Sequence, residues 1–103
     1  MGELKHLQRA EFDSVMKNGR DMILFFYKKM DPASILGMNS MKEVEALIGR
    51  SFDLLLVDTE LEPEIAKAFS VEKIPEYISM KQCKIFKRST DLLEPSGVLS
   101  LLK

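Results

Sequence analysis

The chain has one cysteine, Cys83, and one histidine, His6, among 103 residues. An internal disulfide is therefore excluded, and a structural metal centre is unsupported because neither residue has a partner at ligand spacing. Long apolar runs are also missing. The longest, Met22 to Tyr27 and Leu54 to Val57, fall far short of the roughly 20 residues that a membrane helix needs. The N-terminus is polar and lacks the apolar region of a signal peptide, so the expectation is a soluble, cytoplasmic protein. Neither sign of charge is in excess: Lys and Arg number 15 against 16 Asp and Glu, for a formal net charge of -1. No broad field draws the chain to nucleic acid or to an anionic membrane, and no motif calls for a cofactor.

What is present is a globular balance, 46% hydrophobic and 30% charged, in a length that suits a single domain spanning residues 1–103. Internal repeats, low-complexity segments and linkers are absent. Leu4-Lys5-His6-Leu7 reads as a short strand. From about Ala10, Phe12, Val15 and Met16 recur at i, i+3 and i+4, the pattern of one helical face, and Asn18-Gly19 stops that helix. Met22 to Tyr27 is apolar and aromatic throughout, the signature of a strand covered on both faces. Asp31 is a good N-cap and Pro32 fits the first helical position, so a helix begins there. Its expected inner face is Leu36, Met41, Val44, Leu47 and Ile48, with Gly49 as its exit.

Phe52 to Asp58 repeats the buried-strand pattern, which makes strand, helix and strand a parallel βαβ unit. Pro63 opens a short helix with Ile65, Ala66 and Phe69 inward. After Ile74-Pro75, the segment Glu76 to Met80 alternates, a turn falls near Lys81-Gln82, and Cys83 to Arg88 returns as the second strand of a hairpin. A last helix from about Glu94 or Pro95 to Leu102 directs Val98, Leu99 and Leu102 to the sheet, despite Gly97.

The element order βαβαβαββα, with Pro63-Glu64-Ile65-Ala66-Lys67-Ala68-Phe69-Ser70-Val71-Glu72-Lys73-Ile74-Pro75 as its most specific segment, resembles that of the thioredoxin family over nearly the whole chain. The resemblance implies a three-layer α/β/α sandwich around a mixed five-stranded sheet. It also makes Pro75 a candidate cis residue beside the loop where that family carries Trp-Cys-Gly-Pro-Cys. Here the loop reads Lys29-Met30-Asp31-Pro32-Ala33. Thiol–disulfide exchange needs an attacking thiolate and a resolving thiol, and neither a thioether nor a methyl group replaces them. Dithiol oxidoreductase activity is not expected at Met30, Asp31, Pro32 and Ala33. The family's buried acid aligns with Leu24 and its lysine partner with Leu54, an apolar pair in place of a polar one.

These substitutions leave a binding role as the first expectation: Lys29, Met30, Ile74, Pro75 and Glu76 form a groove for a protein partner or an extended peptide segment. The alternative is redox chemistry at Cys83, with Lys81 and Lys84 favouring its thiolate. A small strand hydrophobe is the plainer role for that cysteine. Met30, Met38 and Met41 offer soft thioethers that suit copper(I), but at this spacing they also fit core packing. An Asp31 and Glu76 carboxylate pair is conceivable as acid and base, whereas N-capping accounts for Asp31 and exposure at the rim for Glu76. Lys81, Lys84, Lys87 and Arg88 read as a solvated edge, with Lys84 on the face opposite Lys81 and Lys87. His6 reads as a strand side chain with no evident partner.

Overall fold

Six consecutive residues of one strand, Met22–Tyr27, are all buried, and a strand of this kind has to be covered on both faces and paired along both edges. The structure, a computed structural model, describes residues 4–47 and 52–103 and shows how the chain supplies that cover. Its strands are β1 (Leu4–His6), β2 (Met22–Tyr27), β3 (Asp53–Asp58), β4 (Glu76–Lys81) and β5 (Lys84–Ser89), in the spatial order β1-β3-β2-β4-β5. β3 runs parallel to both β1 and β2, while β4 pairs antiparallel with β2 and β5. The helices are α1 (Phe12–Lys17), α2 (Pro32–Leu47), α3 (Pro63–Ala68) and α4 (Pro95–Ser100), and a single 3-10 turn at Arg9–Glu11 precedes α1.

Alternation along the strands divides the core in two. Leu24, Phe26, Leu55, Val57, Ile78 and Met80 face Ile65 and Phe69, with Phe12, Val15 and Met16 against them. Ile23, Phe25, Tyr27, Leu54, Leu56 and Tyr77 instead face Met41, Val44, Val98 and Leu101. Thus α1 and α3 cover one side of the sheet, α2 and α4 the other, and the three-layer sandwich is complete.

α2 turns a different face to the sheet from the one its leucines suggest. Ser34, Gly37, Met41 and Val44 are buried, at spacings of three and four residues. Leu36 and Leu47 are instead 57% and 71% exposed; Ile48 and Gly49 lie outside the described residues. Gly37 sets this phase. A Cβ there would lie 2.6 Å from Phe25 Cζ and 2.9 Å from the Tyr77 hydroxyl, so only glycine lets the helix approach so closely. Phe25 has no room to retreat, because its ring stacks on Tyr27 at 5.8 Å and leans on Tyr77 at 4.9 Å between centroids. The last helix also differs in detail, burying Val98 and Leu101 while Leu99 and Leu102 are only partly covered.

The hairpin turn consists of Gln82 and Cys83, with φ of 52° and 66°. Two successive left-handed residues are the geometry of a type I′ turn, whose twist matches that of the flanking strands. Cys83 is consequently an exposed turn residue and not part of the returning strand. β5 pairs Lys81 with Lys84 and Ser79 with Lys87, and the register shift between them leaves Phe86 as the extra residue of a bulge. The bulge restores phase, so Lys81, Lys84 and Lys87 share a face instead of alternating. Lys81 Nζ and Lys87 Nζ sit 4.7 Å and 5.4 Å from the Phe86 ring centroid.

Replacing Gly37 by Ala gains roughly 0.5–1 kcal/mol of helix propensity, but overpacking against two fixed rings costs roughly 1–3 kcal/mol. The expected net is destabilisation, read as a lower midpoint in thermal unfolding followed by circular dichroism. An unchanged or raised midpoint would show that the rings yield.

Candidate functional site

The end of β2 and the start of α2 are joined by a short, heavily bonded junction. Asp31 Oδ2 accepts from the Ser34 backbone N–H at 2.8 Å, which satisfies one of the free donors at the helix start. Ser34, only 1% exposed, accepts in turn from the Lys28 N–H through its Oγ at 3.1 Å. The Tyr27 carbonyl takes the Thr59 N–H and the Thr59 hydroxyl, each at 3.0 Å. Asp58 closes the neighbouring turn, its Oδ1 accepting from the N–H groups of Glu60 and Leu61 at 3.0 and 3.3 Å. The junction is therefore braced from both sides, although Met30 at its tip is 89% exposed.

Ile74-Pro75 meets this junction at the same end of the sheet. Phe26 pairs with Glu76 across β2 and β4, so the residues leading into β4 lie beside those leaving β2. The Ile74–Pro75 peptide bond is cis, Pro75 is buried and Ile74 is half-buried. Glu76 is not a rim residue. It is 5% exposed, and Arg88 grips it with two bonds, Nε to Oε2 at 2.7 Å and Nη2 to Oε1 at 3.1 Å. Arg88 Nη2 also reaches the Ser70 carbonyl at 3.5 Å. The pair ties the Ser70 loop, β4 and β5 together, and the hydrogen bonds to Glu76 hold the guanidinium pKa above its ordinary value. With Asp31 engaged in capping and Glu76 in this pair, the two carboxylates do not form an acid–base couple.

Of the five residues expected to line the groove, Lys29 and Met30 are exposed and Ile74 partly so, while Pro75 and Glu76 are buried. Leu24 and Leu54 are both buried but face opposite layers, so they do not replace a polar pair with a packed apolar one. Leu24 packs on the layer that also holds Leu55 and Val57. The methionines separate as well: Met41 is core, Met38 packs at its margin, and Met30 stands in solvent. No cluster of three His, Cys, Asp or Glu side chains with metal-binding geometry occurs among the described residues. His6 does have a partner, Tyr27, whose hydroxyl lies 2.8 Å from its Nε2. Burial and, secondarily, the Asp58 charge push the Tyr27 phenol up.

Local sequence signals offered little warning of these polar contacts. Ser34 followed Asp31 at capping distance, and Asp58-Thr59 ended a strand in turn-forming residues. Glu76 and Arg88, 12 positions apart, meet only because the hairpin register brings them together.

On the α2 side of the junction lies an open cleft of about 220 Å³, lined by Tyr27, Lys28, Lys29, Ser34, Ile35, Met38, Asn39 and Lys42. It shares only Lys29 with the expected groove. No helix among the described residues is long and apolar enough to cross a membrane.

The part-buried pair gives a test of what braces the start of β4. Arg88→Met strands the Glu76 carboxylate and should cost about 3 kcal/mol. Glu76→Gln leaves a neutral partner under an Arg88 side chain that is 34% exposed, and should cost about 1 kcal/mol. The double variant should recover part of the loss in Arg88→Met alone. Chemical denaturation of the three variants measures this, and strict additivity would remove the pair as the brace.

No family model matches the chain. Among curated proteins it is similar to thioredoxin 2 of Plasmodium falciparum (isolate 3D7), 24% identical over 82 residues that take in 80% of this chain and 52% of that protein. The chain thus spans about half the length of the curated relative it matches. Among solved structures, a malarial protein superposes with a TM-score of 0.74 at 23% identity, covering 81% of this chain and 93% of the other. Thioredoxin-2, a component of malaria parasite protein secretion machinery, superposes with a TM-score of 0.76 at 23% identity, covering 81% of each chain. Sheet order, helix placement and these likenesses agree: the fold is that of thioredoxin.

Proposed function

We propose that this protein is a non-catalytic binding module that holds an extended segment of a partner protein against the surface formed by Lys29, Met30 and Ile74. One observation carries the reading: the junction keeps its capped, braced backbone while its tip presents an exposed thioether, Met30, where exchange chemistry would need a thiol. Pro75 and the Glu76–Arg88 pair supply the floor and its support. An apolar tip on a fixed backbone is what peptide recognition favours, since little conformational freedom is lost on binding. Structural likeness to a component of a protein secretion machinery fits a role among protein partners. The lone thiol fits a reducing, cytoplasmic setting.

Met30→Asp combined with Ile74→Asp places charge on the surface without touching the core and should abolish partner recovery in affinity purification while leaving the unfolding midpoint within a few degrees. Recovery of the same partners by wild type and variant would place the binding surface elsewhere.

The exposure of Cys83 at the hairpin tip keeps a second reading open, one-thiol redox chemistry. On the binding-module reading, the native protein should not reduce insulin disulfides and Cys83 should alkylate at the rate of an ordinary free thiol. Alkylation much faster than that of a Cys-containing peptide would favour the second reading.

A further inference from the structure

The cleft beside α2 combines three features. Lys28, Lys29 and Lys42 converge on it, and none of their ammonium groups has a carboxylate partner among the described residues. Ile35, 51% exposed, and the partly buried Met38 give it an apolar lining. At its base the buried Ser34 hydroxyl accepts from Lys28 N–H, and its own proton has no acceptor among the described residues. In a chain with a formal net charge of -1, three unpaired cations around one recess are a local departure from balance.

At about 220 Å³ the recess is smaller than the roughly 300–1,000 Å³ of typical small-molecule sites. It has room for one or two side chains. An apolar side chain on Ile35 and Met38 with carboxylates toward the lysines would match both the lining and the charge. We propose that this cleft receives an acidic, apolar-anchored peptide segment of the partner, in which a leucine-like side chain is flanked by Asp or Glu. This deepens the binding-module reading and rests on it. Lys29 belongs to both surfaces, so a segment crossing Met30 can continue into the cleft.

The test uses the full chain and three labelled peptides that differ only at the residues flanking one leucine: glutamate, glutamine or lysine. Fluorescence anisotropy should show the glutamate peptide binding about tenfold or more tighter than the glutamine peptide at low salt, with the lysine peptide weakest. The preference should collapse near 1 M salt, where the screening length falls to about 3 Å. Lys28→Glu with Lys42→Glu should reverse the order of glutamate and lysine peptides, and both positions are exposed, so folding is expected to persist. Equal affinity for the glutamate and glutamine peptides, no detectable binding of any peptide, or an order unchanged by the double reversal would overturn the proposal. Separately, if affinity purification loses its partners with Met30→Asp and Ile74→Asp but keeps them all with the lysine reversal, the binding module stands and the acidic segment falls.

Discussion

Everything in this fold follows from a central strand with no polar side. β2 buries all six of its residues, so it has to be paired on both edges and roofed on both faces. β3 and β4 meet the first requirement, and the α1–α3 and α2–α4 layers meet the second. The close approach of Gly37 to Phe25 then fixes which face of α2 looks inward. Because β2 ends at Tyr27 and α2 starts at Pro32, that packing also determines where the junction stands. The proposed binding surface is a by-product of how the core is covered.

The strands and the start of α2 were legible because their signals are local: unbroken apolar runs, and Asp31-Pro32 at a helix start. The face of α2 was not legible. Leu36 and Leu47 read as inward by hydrophobicity, and only the absence of a side chain at Gly37 reveals which face can approach a ring. Cys83 shifted from strand to turn because nothing in Gln82-Cys83 advertises two left-handed residues, a role that usually falls to Asn or Gly. The single bulge at Phe86 then moved the lysines to one face, which strict alternation cannot anticipate.

The site was legible in what it lacks and less so in what it contains. Missing thiols at Met30 and Ala33 are a matter of residue identity. Glu76 depended on a partner across the hairpin, and its burial turns an expected contact residue into a support for the proposed surface. His6 likewise gains its role from Tyr27, two strands away in the sheet. Charged residues with neighbours in sequence are easily read as solvated, whereas long-range pairing decides whether they are.

The two edges of the sheet are unequal. Five of the six β5 residues are exposed, and beyond its pairing with β4 the strand is held through Arg88 on Glu76, Lys87 N–H on the Ser79 hydroxyl and Lys87 Nζ on the Lys103 carbonyl. Ser79 in turn donates to the Leu101 carbonyl at 2.7 Å. Loosening the C-terminal turn would therefore loosen β5 with it, as one cooperative unit of low opening free energy, while β2 amides exchange with solvent only when the whole molecule unfolds. The molecule has a soft margin on the side away from β1 and a hard centre, and the proposed binding surface draws on both: Lys29 and Met30 follow the end of β2, while Arg88 of β5 braces Glu76.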